Sequence, residues 1–201
     1  MFKKLTLLGL LLALACPLGS QTFILPKRIP QSPTVGGGGG GSCAGTTKDS
    51  QTGTTNNNAD NSVYNWIAGN FTAGSTYTLC KLTLRMAKAG TPSGNVTASI
   101  YTSVAGNIPG TLVGTASDPV TATTLPTTEG NVDFVNLNAS LTSGTVYQIV
   151  VKTTTGTSMN NVKVYYTFDG VTAHEINLSD NSGSSWDNWT DSNQIKFTSY
   201  E

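Results

Sequence analysis

The chain contains one histidine, His174, which lies beside Glu175 in the segment "AHEINLS". A hydrolase needs a nucleophile with a positioned base, or two carboxylates opposed across a cleft. No G-x-S-x-G motif accompanies the histidine, and neighbouring strand residues point to opposite faces, which separates His174 from Glu175. The scarcity of histidine and cysteine also argues against a zinc site. The sequence therefore predicts a protein without catalytic residues, and a hydrolase is the least favoured function.

Three acidic residues, Asp180, Asp187 and Asp191, lie close together in "SDNSGSSWDNWTDSN". Calcium takes about six to eight hard oxygen ligands, which this Asn- and Ser-rich segment could supply. The spacing does not match an EF-hand loop, so a polar loop closing one end of the fold is the alternative. Two of these aspartates could also serve a glycosidase if they faced each other across a cleft. The sequence therefore predicts no cofactor, with a calcium site at the three aspartates as the alternative.

Aromatic residues are better candidates for ligand contact, because their faces can stack on sugar rings. Trp66 lies within a predicted strand and is expected in the core, and Trp186 is expected to plug one end of the fold. Trp189 and one of the adjacent pair Tyr165 and Tyr166 are expected to be exposed, since neighbours in a strand face opposite ways. The predicted sugar-stacking residues are Trp189, Tyr165 and Tyr166.

Three cysteines leave one unpaired in an exported protein. If Cys16 carries a lipid, Cys43 and Cys80 remain and could form a disulfide in an oxidising compartment. The alternative is that Cys80 is a small buried hydrophobic residue, because it is spaced with Leu82 and Leu84 as if on the inward side of one strand. The sequence leaves both readings open.

The first residues, "MFKKLTLLGLLLALAC", combine a short basic start with an apolar run from Leu5 to Ala15. This run has the length of a signal-peptide core and is shorter than the roughly 20 residues that span a bilayer. "LALAC" is similar to a bacterial lipobox, with Ala13 where Leu is usual, whereas "ALA" also fits ordinary signal peptidase. We predict a signal peptide over residues 1–15 and lipidation of Cys16. Mass spectrometry of the mature N-terminus distinguishes a lipidated protein from a cleaved and released one.

Residues 16–58 have the composition of a tether. Pro-spaced residues favour extended backbone, and six consecutive glycines at 36–41 favour a flexible coil. Such a segment buries too little apolar area to offset the entropy of ordering it. With a lipid at Cys16, we expect it to hold a folded domain away from an outer membrane or cell surface. Without the lipid, the protein would be secreted.

Charge excludes one class of partner. Charged residues make up 11% of the chain, and 11 basic residues balance 11 acidic ones. Nucleic-acid binding relies on a basic surface that releases counterions from the phosphate backbone. The sequence therefore predicts no nucleic-acid partner.

Residues 59–201 show short alternating runs separated by turn residues, which is typical of a sandwich or barrel. Leu82, Leu84 and Met86 alternate with polar residues in one run, and Ile195 and Phe197 flank Lys196 in another. No helical period follows the leader, and no helices are predicted to link parallel strands. Nine to eleven strands are expected in an all-β, antiparallel, two-sheet sandwich resembling a jelly roll. The "GNIPG" turn is expected to join two of them, with Pro109 at a strand end or edge.

The order of several segments resembles the secreted bacterial β-sandwich domains called choice-of-anchor domains, over roughly residues 62–200. These segments are "WIAGNFTAG", "LTLRMAKAGTPSGNVTASIYTSVAGNIPGTLVGTAS", "LTSGTVYQIVV", "SSWDNW" and "IKFTSY". The resemblance implies a sandwich fold and surface attachment, here through the N-terminal lipobox. It implies no catalytic residues.

The favoured function is therefore that of a non-enzymatic, exported cell-envelope protein used in surface display, adhesion or assembly. Its expected partners are the membrane, through the lipid anchor, and glycans or other envelope proteins. The second candidate is a carbohydrate-binding module that uses exposed aromatic residues.

Overall fold

The computed structural model describes residue 43, residues 45–154 and residues 156–201. The predicted signal peptide, Cys16 and the glycine run lie outside these residues. The described residues form fourteen strands and a short 3-10 turn at Ala122–Thr124. The strands are β1 (Thr47–Gln51), β2 (Asn57–Asp60), β3 (Trp66–Thr72), β4 (Tyr77–Ala89), β5 (Asn95–Val104), β6 (Ile108–Val113), β7 (Val120–Thr121), β8 (Gly130–Leu141), β9 (Val146–Lys152), β10 (Asn161–Phe168), β11 (Glu175–Ser179), β12 (Asp187–Asp191), β13 (Asn193–Ile195) and β14 (Phe197–Tyr200).

These strands form two seven-stranded antiparallel sheets. Sheet A has the order β1-β14-β4-β10-β13, with β8 on the other edge of β4 and β2 on the other edge of β10. Sheet B has the order β12-β11-β3-β9-β5-β6, with β7 also paired to β5. The predicted all-β, two-sheet sandwich is confirmed. No helix in the described ranges is long and apolar enough to cross a membrane.

The core lies between the sheets because every second side chain of the long strands points inward. Leu82, Leu84 and Met86 of β4 are fully buried, as the alternation predicts. Phe71 from sheet B meets Phe197 from sheet A with ring centroids 5.0 Å apart. Burial of each such side chain stabilises the fold by about 1.5–3 kcal/mol.

Cys80 does not lie on the inward face of β4. The interpretation of Cys80 as a small buried hydrophobic residue is therefore wrong. The pairing of β4 with β8 shifts register between Leu79 and Lys81. Leu79 and Leu82 are therefore both buried, while Cys80 lies between them and is half-buried. A bulge of this kind reverses the alternation and cannot be recognised from residue spacing. The turned-out Cys80 forms a disulfide with Cys43, with the two Cα atoms 5.6 Å apart.

The sandwich begins earlier in the chain than predicted, because β1 and the first half of β2 lie within residues assigned to the tether. β1 pairs with β14 and β2 pairs with β10. Their sequences, "TKDSQ" and "NNAD", carry no apolar alternation. They become strands because β14 and β10 offer them backbone partners, which is a tertiary effect that local sequence does not encode.

The last two strands are one run of chain that changes partners at Lys196. β13 pairs with β10, and β14 pairs with β4 on one side and β1 on the other. At the junction, the Lys196 N–H donates to the Tyr165 carbonyl, and the Arg85 N–H donates to the Lys196 carbonyl. The alternation predicts that Ile195 and Phe197 share one face, and both belong to the core. Lys196 points the other way but is still only 3% exposed.

The "GNIPG" segment joins β5 to β6, and Pro109 lies on β6, the last strand on its side of sheet B. Gly106 and Asn107 both have positive φ, 82° and 52°, which the reversal of direction requires. The Asn107 carbonyl accepts hydrogen bonds from the side chains of Gln148 and Asn177. The turn therefore joins strands and also covers the outer face of sheet B.

Candidate functional site

A cleft lined by aromatic and polar side chains opens between β2 of sheet A and β11 and β12 of sheet B. We call it the aromatic cleft, and its volume is about 320 Å³. This is near the lower limit of the cavities that hold small ligands. Its walls are Asn58, Ala59, Asp60, Ser62, Val63, Tyr64, Leu178 and Trp189.

Trp189 reaches this cleft because of an irregularity in the strand that carries it. β12 pairs Thr190 with Ile176 and Asn188 with Asn177, so Trp189 is the extra residue of a β-bulge. Bulges change the direction of a side chain. Trp189 is 53% exposed, and its ring meets Tyr64 edge-on, with centroids 6.3 Å apart and planes inclined at 64°. The two rings form adjoining walls, and much of Trp189 is free to contact a ligand.

The polar wall of the cleft contains Asp60. Its Oδ1 accepts hydrogen bonds from the N–H and the hydroxyl of Ser62, at 2.9 and 2.5 Å. In the described part of the chain, Asp60 Oδ2 and the side chain of Asn58 make no hydrogen bond. A carboxylate oxygen and an amide next to an aromatic face are groups that can bind the hydroxyls of a sugar.

The two tyrosines predicted to stack on sugars do not join Trp189 in the cleft. Tyr166 is 9% exposed and belongs to the hydrophobic core, so its assignment to a sugar site is wrong. Adjacent residues of a strand face opposite sides of the sheet, so one of Tyr165 and Tyr166 must point inward, and in β10 it is Tyr166. Tyr165 is half-buried on the opposite face of the strand and does not line the cleft.

The other two tryptophans form a cluster on the outside of sheet B, which corrects the prediction that Trp66 is in the core. Trp66 and Trp186 are half-buried, with ring centroids 6.2 Å apart. Lys152 Nζ lies 4.2 Å from the Trp66 ring centroid and donates a hydrogen bond to the Tyr101 hydroxyl at 2.6 Å. The Trp66 ring is therefore covered by its neighbours, including a cation–π contact.

The three aspartates predicted to bind calcium are exposed and spread apart. Asp187 and Asp191 begin and end β12, a strand that occupies part of the segment predicted to be a loop. Asp191 Oδ1 accepts a hydrogen bond from the Asn188 side chain at 2.8 Å. In the described ranges, no group of three or more His, Cys, Asp or Glu side chains is arranged to hold a metal ion.

His174 has an acidic partner but no nucleophile. Its Nδ1 lies 2.5 Å from Asp169 Oδ2, and Asp169 Oδ1 accepts a hydrogen bond from the Val171 N–H. No serine hydroxyl of the described residues makes a hydrogen bond with His174. The pair joins the two ends of the segment between β10 and β11, and this contact holds that turn together.

A second, larger concavity lies on the outer face of sheet A, under the segment that links β1 to β2. We call it the charged cavity, and its volume is about 500 Å³. Glu129 Oε1 lies 3.0 Å from Arg85 Nε and 3.1 Å from Lys196 Nζ. Lys196 Nζ also donates to Asn56 Oδ1 at 2.8 Å, and Arg85 Nη1 donates to Asn131 Oδ1 at 2.9 Å.

Glu129 remains ionised in this arrangement. Burial alone would raise the pKa of its carboxyl, but hydrogen bonds from Arg85 and Lys196, together with their positive charges, outweigh burial and lower the pKa below its ordinary value of 4.5. The carboxylate thus compensates the charge of a lysine that has almost no contact with water.

The sequence analysis did not identify five residues that line the two concavities: Tyr64, Asp60, Arg85, Glu129 and Lys196. Each concavity is assembled from segments far apart in the chain, so no local spacing marks it. The alternation of charged and apolar residues in "TLRM" and "QIKF" did place Arg85 and Lys196 on outer faces. The same alternation does not predict that these two side chains contact one carboxylate, that of Glu129.

Comparisons of the chain with protein-family models, with curated protein sequences and with solved structures return no match.

Proposed function

We propose that this protein is a non-enzymatic, exported cell-envelope protein whose sandwich domain acts by adhesion, and that a sugar ring is the ligand of the aromatic cleft. The apolar run of residues 5–15 and the cysteine that follows it support export and attachment at Cys16. The glycine-rich segment after them supports a domain displayed at a distance from the membrane.

One observation carries the choice of ligand: Trp189 is turned out by a bulge and stands half-exposed next to Tyr64 and Asp60. An exposed tryptophan costs solubility, and a cleft that adds an unengaged carboxylate oxygen supplies both kinds of contact a sugar uses. Apolar C–H faces of the sugar would lie on the indole, and its hydroxyls would donate to Asp60.

The experiment is a glycan array followed by titration of the best ligand with the folded protein, with Trp189→Ala as the variant. We expect the affinity to fall at least about tenfold, which corresponds to about 1.4 kcal/mol. Phe168→Ala is the matched control, because Phe168 is 60% exposed but does not line the cleft. A blank array, or equal losses in both variants, would contradict the assignment of a sugar to this cleft.

A further inference from the structure

The charged cavity has an unequal number of positive and negative groups. Arg85 and Lys196 line it with one carboxylate, Glu129, between them. Asp133 does not line the cavity; its carboxylate accepts a hydrogen bond from the Thr83 hydroxyl and lies 3.7 Å from Lys81 Nζ. The side chains lining the cavity therefore carry one excess positive charge, and the dielectric near a buried lysine strengthens its effect.

Hydrogen-bond donors remain available at the same place. Arg85 uses Nε for Glu129 and Nη1 for Asn131, and its Nη2 makes no hydrogen bond with the described residues. Lys196 Nζ donates to Asn56 and Glu129 and is almost fully enclosed, so it contributes its positive charge and not a free donor. Thr198 also lines the cavity. The free groups are mainly donors, and the negative charge present is already shared by two cations.

The cover of the cavity is held close to the sheet. The segment between β1 and β2 passes over it, and Gly53 in that segment approaches Thr167 so closely that an added Cβ would lie 2.3 Å from the Thr167 Oγ1. The Thr55 and Thr167 hydroxyls share a hydrogen bond of 2.6 Å. The concavity therefore exists before any ligand arrives, which reduces the entropy lost on binding.

We propose that the charged cavity is a binding site for a small carboxylate ligand, such as an acidic sugar. A carboxylate carries one negative charge, which matches the single excess charge of the lining, and its two oxygens can accept hydrogen bonds from the donors that remain, Arg85 Nη2 and the Thr198 hydroxyl. A phosphate monoester carries about 1.5 to 2 negative charges at neutral pH, which the lining does not balance. The volume of about 500 Å³ accommodates a monosaccharide.

The test is an NMR titration of the folded protein with D-glucuronate, with D-glucose and inorganic phosphate as separate arms. We expect glucuronate to shift the backbone amides of Thr83, Asn131 and Thr198, and glucose at the same millimolar concentration to leave them unchanged. Absence of shifts with glucuronate would overturn the proposal. Phosphate binding as tightly as glucuronate would overturn the choice of a carboxylate.

The decisive variant is Asn131→Asp. The new carboxylate can still accept the hydrogen bond from Arg85, so the fold is preserved, but it cancels the excess charge of the cavity. We expect glucuronate affinity to fall at least about tenfold. Asn95→Asp, an exposed position in sheet B, makes the same chemical change elsewhere and should bind normally. Equal affinities of the two variants would contradict the site. Thr83, Asn131 and Thr198 line the charged cavity and not the aromatic cleft, so the shifts of their amides report this site independently of any sugar bound at Trp189.

Discussion

The aromatic cleft and the charged cavity differ in what their residues do when no ligand is bound. Trp189 meets Tyr64 edge-on, and about half of its surface is open to solvent. In the charged cavity, Glu129 joins Arg85 of β4 to Lys196 at the junction of β13 and β14, and Lys196 reaches Asn56 in the overlying segment. The exposed part of Trp189 is thus available for recognition, whereas the charged residues of the cavity also hold separate parts of sheet A together.

This contrast follows from the chemistry of the two surfaces. A tryptophan that is half-exposed costs the folded protein little free energy. Folding alone therefore does not require the ring to be buried in one place. A lysine removed from water must have a partner, so its position and that of Glu129 are fixed by folding. Variants that separate stability from binding test this difference.

The largest expected effect concerns the disulfide, which anchors the chain just before β1 and the segment over the charged cavity. The double change Cys43→Ser and Cys80→Ser should lower the free energy of unfolding by about 4 kcal/mol, because the bond closes a loop across a sequence separation of 37 residues. Urea denaturation measures this loss. Hydrogen exchange should increase at residues 51–56 and much less at β2, which β10 holds independently. Equal increases in hydrogen exchange at residues 51–56 and at β2 would contradict this difference between the two regions.

Glu129→Gln is expected to have the next largest effect, about 2 kcal/mol at pH 7, because the amide oxygen can still accept from Lys196 but no longer compensates its charge. Asp60→Asn in the aromatic cleft keeps an oxygen acceptor for Ser62 and should cost less than about 0.5 kcal/mol. Urea denaturation of both variants gives the two numbers. Similar losses would mean that cleft and cavity contribute alike to stability.

The effect of Glu129 should depend on pH in a defined direction. The pKa of the folded carboxyl lies below the ordinary 4.5, so its stabilising contribution is complete above that pH and is lost as pH falls through the folded pKa. The stability difference between the wild type and Glu129→Gln should therefore be constant from pH 7 to 5.5 and shrink in more acidic solution. A difference that grows on acidification would contradict the ion pair.

The smallest effect is expected for Trp189→Ala, which should change the free energy of unfolding by less than about 0.5 kcal/mol. Trp66→Ala removes a half-buried ring that Trp186 and Lys152 cover, and should cost about 1–2 kcal/mol. Thermal melts of the two variants provide the measurement. A large loss for Trp189→Ala would show that the cleft, too, is part of the structural framework.

The alternation of apolar residues predicted the sandwich and its core correctly. It placed Leu82, Leu84, Ile195 and Phe197 inside, since a strand buried on one face must repeat every two residues. The resemblance to choice-of-anchor domains, export and the lipid at Cys16 stay predictions.

Where sequence reasoning failed, register or tertiary partners decided the outcome. A bulge moved Cys80 off the inward face, and a second bulge turned Trp189 outward. Trp66 lies outside the core because it points to the outer face of sheet B, whereas the next residue, Ile67, points inward and is buried. Burial of Lys196 depends on Glu129 and Asn56, which are distant in the chain, so no window of sequence could predict it.

The position of β14 has a consequence for how the protein is made. Residues 197–200 follow every other described strand along the chain, yet they lie between β1 and β4 inside sheet A. While a ribosome is synthesising the chain, β1 therefore has no neighbour to join, and the edge of β4 that β14 will occupy stays open. Sheet A can be completed only after residues 197–200 have emerged from the ribosome, so the finished domain cannot form from its growing N-terminal part alone.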